Sequence, residues 1–325
     1  MAGDSVAALQ PFRILIRASN WLGDSVMSVP AVRAIKRGRP DAHITILAPE
    51  KIAAIWRLVP EVDAVISLGK MSLGAVRRAL RLEAPFDVGI AFPNSFRSAL
   101  ELWLGGLPRR VGYAGRHRRW LLNQVVPKIE RPGPPPHQVE HYLDLARSLG
   151  TSAEAGDIAV SSPPLAAAGE RRLGLCPGAE YGPAKRWLPE RFAETAAAIS
   201  GHWVFFGTAK DEEVGAQVAA AFGGTCTNLI GKTTLEQLID ELRRCELLLT
   251  NDTGTMHLAT LLGVPVVAVF GSTEPRLTGP LGKKSLVVRH QVECSPCFLR
   301  KCPLDFRCMK AVSAQEVAAA IEVLL

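Results

Sequence analysis

Residues 247–270 restrict the possible folds more than any other segment. The apolar run Leu247-Leu-Leu249 ends in the small polar stretch Thr250-Asn-Asp-Thr-Gly-Thr255. Residues 256–262 then have helical character, and a second apolar run fills 265–270. Short runs without polar alternation read as strands buried on both faces, and a helix between two of them predicts a βαβ unit in a parallel sheet. Asp252, Thr253, Gly254, Thr255 and His257 then fall at a strand's carboxyl end and in the first turn of the next helix. Ligands of open α/β sheets bind at that edge, where a helix amino terminus offers unpaired N–H groups to an anion. Asp252 and Thr253 would also serve as a plain helix cap. Capping does not call for His257 on the same edge, so the ligand reading is preferred.

The same rhythm runs through the rest of the chain. Strands are predicted at 13–17, 44–47, 64–68, 88–92 and 110–113, with helices at 25–37, 74–82 and 96–104. The Pro-rich segment Arg131-Pro-Gly-Pro-Pro-Pro-His137 interrupts the pattern as a stiff connector. A helix is expected at 139–149, and an irregular stretch runs to residue 164. Strands then resume at 173–176, 203–206, 247–249, 266–270 and 286–288, with helices at 189–200, 212–222, 235–245 and 314–325. The expectation is an α/β protein of two domains, 1–160 and 161–325, which usually close on ligand in a cleft.

Apolar residues make up 48% and charged residues 21% of the 325, an ordinary globular balance. No stretch approaches the roughly 20 apolar residues of a membrane span, and no secretory leader is evident, so a cytoplasmic location is expected. The net charge of +7 is unevenly distributed. Residues 1–150 hold 21 Lys and Arg against 12 Asp and Glu, a net +9, whereas residues 151–325 net −2. Arg109, Arg110, Arg116, Arg118 and Arg119 concentrate the excess. Such a surface suits an anionic partner or is simply a solvated basic face; no nucleic-acid motif accompanies it, and nucleic acid is not an expected partner.

Three further loops carry candidate chemistry. Ser19-Asn-Trp-Leu-Gly-Asp-Ser25 puts Asp24 where the first strand's loop meets a helix, placed either to accept a proton from a substrate hydroxyl or to cap. Cys176-Pro-Gly-Ala-Glu-Tyr-Gly-Pro-Ala-Lys-Arg-Trp187 is a Gly-containing loop in which Lys185 offers a compact cation to a diphosphate. Phe206-Gly-Thr-Ala-Lys-Asp211 offers Thr208 to phosphate, and Asp211 or Glu212 to a ribose hydroxyl, although a cap explains Asp211 nearly as well. Neither a G-x-G-x-x-G fingerprint nor a Walker A ending occurs.

Together these segments resemble glycosyltransferase family 9, the ADP-heptose–lipopolysaccharide heptosyltransferases, most closely the type II members. The resemblance spans nearly the whole chain. It rests on Asn20-Trp-Leu-Gly-Asp24, Phe92-Pro-Asn-Ser-Phe-Arg-Ser98, Pro177 to Trp187, Gly207-Thr-Ala-Lys-Asp211, Asn251 to His257 and Cys294-Ser-Pro-Cys297, in that order. It implies the GT-B architecture, two Rossmann-like domains facing across a cleft, with acceptor bound by the first and nucleotide sugar by the second. Asp24 matches the family's base. Lys185 matches the lysine on the donor diphosphate, and Asp252, Thr253, Gly254 and His257 match the donor loop. Asn94, Ser95, Arg97 and Arg110 are expected on the acceptor side, with Arg116, Arg118 and Arg119 nearer to lipid phosphate or the membrane surface. Thr208 replaces a frequent Ser conservatively.

The implied reaction is inverting transfer of L-glycero-D-manno-heptose from ADP-heptose to the first heptose of the lipopolysaccharide inner core. The acceptor would be Kdo-lipid A carrying heptose, met at the cytoplasmic face of the inner membrane by a peripheral protein. No cofactor is expected; the Asp-x-Asp of metal-dependent glycosyltransferases is absent. Alternatives are a type I or later-acting heptosyltransferase, or a nucleotide-binding adaptor without turnover. Cys294, Cys297, Cys302 and Cys308 crowd into fifteen residues. They read as packed reduced thiols, as type II relatives have them, with a structural tetrathiolate metal site as the other possibility.

Overall fold

The computed structural model describes residues 11–115, 117–160 and 171–325. They divide into two compact units, and the chain crosses between them more than once. Most of the first half forms one unit, but Trp21–Met27 and Arg131–Glu140 belong with the C-terminal half.

The first unit holds a six-stranded, all-parallel sheet: β1 (Arg13–Arg17), β2 (His43–Pro49), β3 (Ala64–Leu68), β4 (Val88–Ala91), β5 (Arg109–Tyr113) and β6 (Gln124–Val126). Their spatial order is β3-β2-β1-β4-β5-β6. The central strands read Ile14-Leu-Ile16 and Val88-Gly-Ile-Ala91, and they are buried along their length because helices cover both faces.

The second unit repeats the plan with β7 (Arg172–Cys176), β8 (His202–Phe205), β9 (Cys226–Asn228), β10 (Leu247–Asn251), β11 (Val266–Val269) and β12 (Ser285–Val288). The order β12-β11-β10-β7-β8-β9 is the same topology, again all parallel. Trp187, Phe192, Trp203, Phe205, Leu249 and Val269 share a core with Val317 and Ile321 of the C-terminal helix Ala314–Leu324. In such a sheet the strand order reverses beside the first strand, and the crevice opens at the carboxyl ends there. The reversal lies between β1 and β4 in one unit and between β7 and β10 in the other. Four of the sequence motifs are the loops that leave these four strands.

Two expectations change. The helix predicted over 25–37 is two helices, Leu22–Met27 and Val29–Gly38, divided at Ser28 because Pro30 lacks the N–H that would continue the first. The helix Glu50–Arg57 and the edge strands β6 and β9 were not anticipated. Each of these edge strands, Gln-Val-Val and Cys-Thr-Asn, has only three residues, too short a run to show a period.

Candidate functional site

The second unit gathers most of the candidate residues around the helix Gly254–Leu261, which β10 feeds. Thr253 caps it, its hydroxyl accepting from the Thr255 N–H at 3.2 Å. The short helix Leu22–Met27, which carries Asp24, packs against it closely. A Cβ on Gly23 would sit 3.0 Å from His257 Cδ2, and one on Gly254 would sit 2.9 Å from Leu22 Cβ. These two glycines therefore let the helices approach, and the approach sets Asp24 beside the β10 loop.

Asp24 is held by a residue that sequence reasoning passed over. Gln138, just beyond the Pro-rich connector, donates from Nε2 to Asp24 Oδ1 at 2.6 Å. The connector is anchored in turn: Gln138 N–H donates to Leu277 O at 2.8 Å, and His137 Nε2 lies 3.1 Å from Gly279 O. The segment read as a spacer is thus a brace for the carboxylate.

Lys185 Nζ donates to Asp252 Oδ2 at 2.5 Å, and the same oxygen accepts from Thr273 Oγ1 at 2.7 Å. Only 14% of the lysine side chain and 6% of the aspartate are exposed. Asn251, fully buried, clamps the Lys185 loop: Oδ1 accepts from Trp187 N–H at 2.9 Å and Nδ2 donates to Pro177 O at 2.7 Å. Thr273 and Asn251 are additions to the expected set. His257 is buried and its Nδ1 has no hydrogen-bond partner. Burial pushes the imidazole down to about 4, with Asp252 opposing and His137 and Lys185 reinforcing the shift. The ring is neutral at physiological pH, and its free nitrogen is a polar group without a protein partner.

Thr208 and Asp211 form a reciprocal capping box, with Asp211 Oδ2 accepting from the Thr208 N–H at 3.0 Å and hydroxyl at 2.8 Å. Asp211 Oδ1 also takes Arg186 Nη2 at 3.0 Å. Both residues are engaged in shaping the loop, and the capping reading accounts for the bonds they make. Glu212 is exposed and free of that box.

In the first unit, Asn94 and Ser95 lie in the loop after β4. Asn94 is exposed, while Ser95 Oγ caps the helix Phe96–Leu104 by accepting from Ser98 N–H at 3.2 Å. Arg97 is half-exposed and bonds Glu101 Oε1 at 2.9 Å. Glu101 is buried and also takes Arg17 Nε at 2.6 Å; Arg17 Nη2 reaches Asn20 Oδ1 at 3.0 Å. This ion pair ties together the loops that leave β1 and β4.

Two arginine expectations are corrected. Arg110 lies at the amino end of β5, opposite the crevice edge, and its guanidinium is spent on Leu121 O at 2.7 Å and Leu107 O at 2.6 Å. It is not placed to meet an acceptor there. Arg118 is wholly buried rather than at the surface; Nη1 donates to Pro93 O at 2.6 Å and Ser95 O at 3.0 Å, and burial lowers its pKa to about 10. Arg119 is exposed, and Arg116 lies outside the described residues.

The four clustered cysteines line one small cavity of about 50 Å³ with Ser272, Leu304 and Phe306. Cys302 Sγ accepts from the Phe306 N–H at 3.4 Å. Among the described residues, no group of three or more His, Cys, Asp or Glu side chains is arranged to hold a metal ion.

Comparison with known proteins bears on this geometry. The profile of glycosyltransferase family 9 (heptosyltransferase) matches residues 73–306. Lipopolysaccharide heptosyltransferase 2 of Salmonella typhimurium is 34% identical over 308 residues, covering 85% of this chain and 88% of its own. The structure of the Escherichia coli ADP-heptose lipopolysaccharide heptosyltransferase II superposes with a TM-score of 0.77 at 30% identity, covering 96% of this chain and 98% of that one. A family 9 glycosyl transferase from Veillonella parvula shares the fold with a TM-score of 0.80 at 24% identity over 96% of each chain.

Proposed function

The chain belongs to glycosyltransferase family 9, the heptosyltransferase family, and on that premise we propose that it is a heptosyltransferase of the lipopolysaccharide inner core. It moves L-glycero-D-manno-heptose from ADP-heptose to the first core heptose. The relatives named heptosyltransferase 2 support this acceptor over that of a type I enzyme. The single observation that carries the reading is the meeting of Asp24, braced by Gln138, with the helix terminus beside the Lys185–Asp252 pair.

Asp24 takes the proton of the acceptor hydroxyl as that oxygen attacks the anomeric carbon. ADP departs from the opposite face, which inverts the configuration. Charge grows on the diphosphate as the bond to the sugar breaks. Lys185 and the Gly254 N–H at the helix terminus are fixed in advance to receive it, the Thr255 N–H being taken by the Thr253 cap, so little reorganisation is needed at the transition state. Asp252 and Thr273 hold the ammonium in position, and neutral His257 presents a nitrogen without adding charge. Glu212 is left to meet the ribose. Donor recognition is assigned to residues 161–325 and acceptor recognition to residues 1–160, where Asn94, Ser95 and Arg97 meet the anionic core sugars. Among the described residues no helix is long and apolar enough to cross a membrane, and the lipid-linked acceptor is met by peripheral association with the cytoplasmic face of the inner membrane.

The test is ADP release from ADP-heptose in the presence of Kdo-lipid A bearing one heptose, with mass spectrometry of the product. Release that depends on this acceptor and adds one heptose is expected. Binding without release would mean an adaptor, and transfer only to acceptor lacking heptose would mean type I specificity.

A further inference from the structure

The helix Phe96–Leu104 carries apolar side chains beyond its buried face, with only Leu100 among them packed against a core cluster. Ser98, Ala99, Glu101 and Leu102 are its buried face. Phe96, Leu100, Trp103 and Leu104 follow at offsets of four, seven and eight residues, which is one stripe along a helix. Phe96 is 41% and Trp103 48% exposed, while Leu100 and Leu104 are half-buried. Trp120, 67% exposed, comes from the turn after β5 and extends the stripe, its ring centroid 6.2 Å from that of Phe96. Folding alone gives no reason to leave two tryptophans and a phenylalanine together in water, and contiguous apolar patches of this kind mark interaction surfaces.

The exposed charge along this stretch of chain is basic. Residues 96–120 contain six arginines and a single acidic residue, Glu101. Glu101 is buried and bonded to Arg17 and Arg97, so it shows no negative charge outward. Arg97 and Arg119 are the exposed cations next to Phe96 and Trp120. Aromatic side chains with a polar edge favour the headgroup layer of a bilayer, and nearby cations add attraction to anionic lipid. A second copy of the chain would meet the same arginines like-to-like, which disfavours self-association through this face.

We infer that Phe96, Trp103 and Trp120, with Arg97 and Arg119, form the surface by which the protein docks on an anionic membrane. The inference rests on the proposed reaction only in identifying the membrane as the place where the acceptor is held. The probe is flotation with vesicles of phosphatidylethanolamine and phosphatidylglycerol, compared with phosphatidylcholine alone. Wild type is expected to float with the anionic vesicles, and less as salt rises. Trp103→Ser with Trp120→Ser should lower the bound fraction at least ~10-fold, because binding scales with the apolar area inserted. Both positions are exposed, so the urea midpoint and the rate on a deacylated, soluble acceptor should stay those of wild type. Wild type that ignores anionic vesicles, a double variant that floats as well as wild type, or an oligomer in sedimentation that the double variant dissolves would each overturn the assignment. Failure of wild type to act on the deacylated acceptor would instead strike the reaction, which flotation does not measure.

Discussion

Replacing Lys185 by Met separates two jobs that one ammonium performs. Lys185 pairs with Asp252 at 2.5 Å, with side-chain exposures of 14% and 6%. Without it, Asp252 keeps only the Thr273 hydroxyl at 2.7 Å among the two bonds to Oδ2. Removing one partner of a buried pair costs about 3–5 kcal/mol; the solvent that still reaches Lys185 brings this to about 2–4 kcal/mol. The pairing also implies that a diphosphate must compete with Asp252 for the ammonium. A hydrogen bond from a charged donor contributes roughly 1.5–3 kcal/mol, so ADP affinity should fall about 10- to 150-fold. Lys185→Met with Asp252→Asn removes both charges and should recover stability to within about 1 kcal/mol, while ADP binding stays weak. Urea unfolding measures the first effect and calorimetry with ADP the second. If the double variant regained wild-type ADP affinity, Lys185 would be no phosphate ligand but a counter-ion for Asp252. A single variant as stable as wild type would show that the pair is not buried in solution.

Three further outcomes are expected. Asp24→Asn should bind ADP-heptose as wild type does and turn over about 10²–10⁴-fold more slowly, the range for loss of a general base; single-turnover rates within threefold would remove the assignment. Gln138→Leu leaves the carboxylate in place without its 2.6 Å donor, so kcat should fall about tenfold with both KM values unchanged, and a rise in KM alone would argue for a substrate contact instead. His257 has its folded pKa lowered to about 4 from 6.5 by burial. The unfolded chain therefore binds the extra proton first, and the stabilisation, of order 3 kcal/mol, is complete above pH ~6.5 and lost as pH falls toward 4. His137 and His141 shift in the same direction, so His257→Gln should flatten, not abolish, the slope of unfolding free energy between those pH values, and an unaltered slope would place the ring in solvent.

The strands at the middle of each sheet were legible because burial on both faces leaves runs such as Ile14-Leu-Ile16 and Leu247-Leu-Leu249 with no polar alternation. The loops leaving β1, β4, β7 and β10 were legible for a related reason: an apolar run gives way there to Gly, Asp, Asn, Ser or Thr, as it also does after β8 and β11. What stayed hidden depends on distance along the chain. Gln138 meets Asp24 across 114 residues and Arg17 meets Glu101 across 84. Neither pair leaves a local pattern, and the Pro-rich spacer reads as solvent-exposed whatever follows it. Thr208 and Asp211 were ambiguous for the opposite reason. An acidic residue three positions after a Thr is both a capping signature and a ligand candidate, and only the bonds at 2.8 and 3.0 Å show that the cap is formed.

The arginines show why a count of charges predicts a partner better than it predicts the contacts. The +9 of residues 1–150 is real, but Arg17, Arg110 and Arg118 direct guanidinium N–H groups at carbonyls or at Glu101. Arg118 is the sharpest case. Its Nη1 binds Pro93 O and Ser95 O, while Nε and Nη2 are buried without partners. One guanidinium nitrogen thus ties two carbonyls of one loop, and the buried charge shows nothing outward. The loop it holds carries Asn94 and Ser95 and leads into Arg97, the residues assigned to the acceptor. Part of the basic excess thus shapes the loop proposed to meet the acceptor, and part remains exposed. Arg97 and Arg119 belong to the second group by exposure, and salt should therefore weaken what they do far more than what Arg118 does.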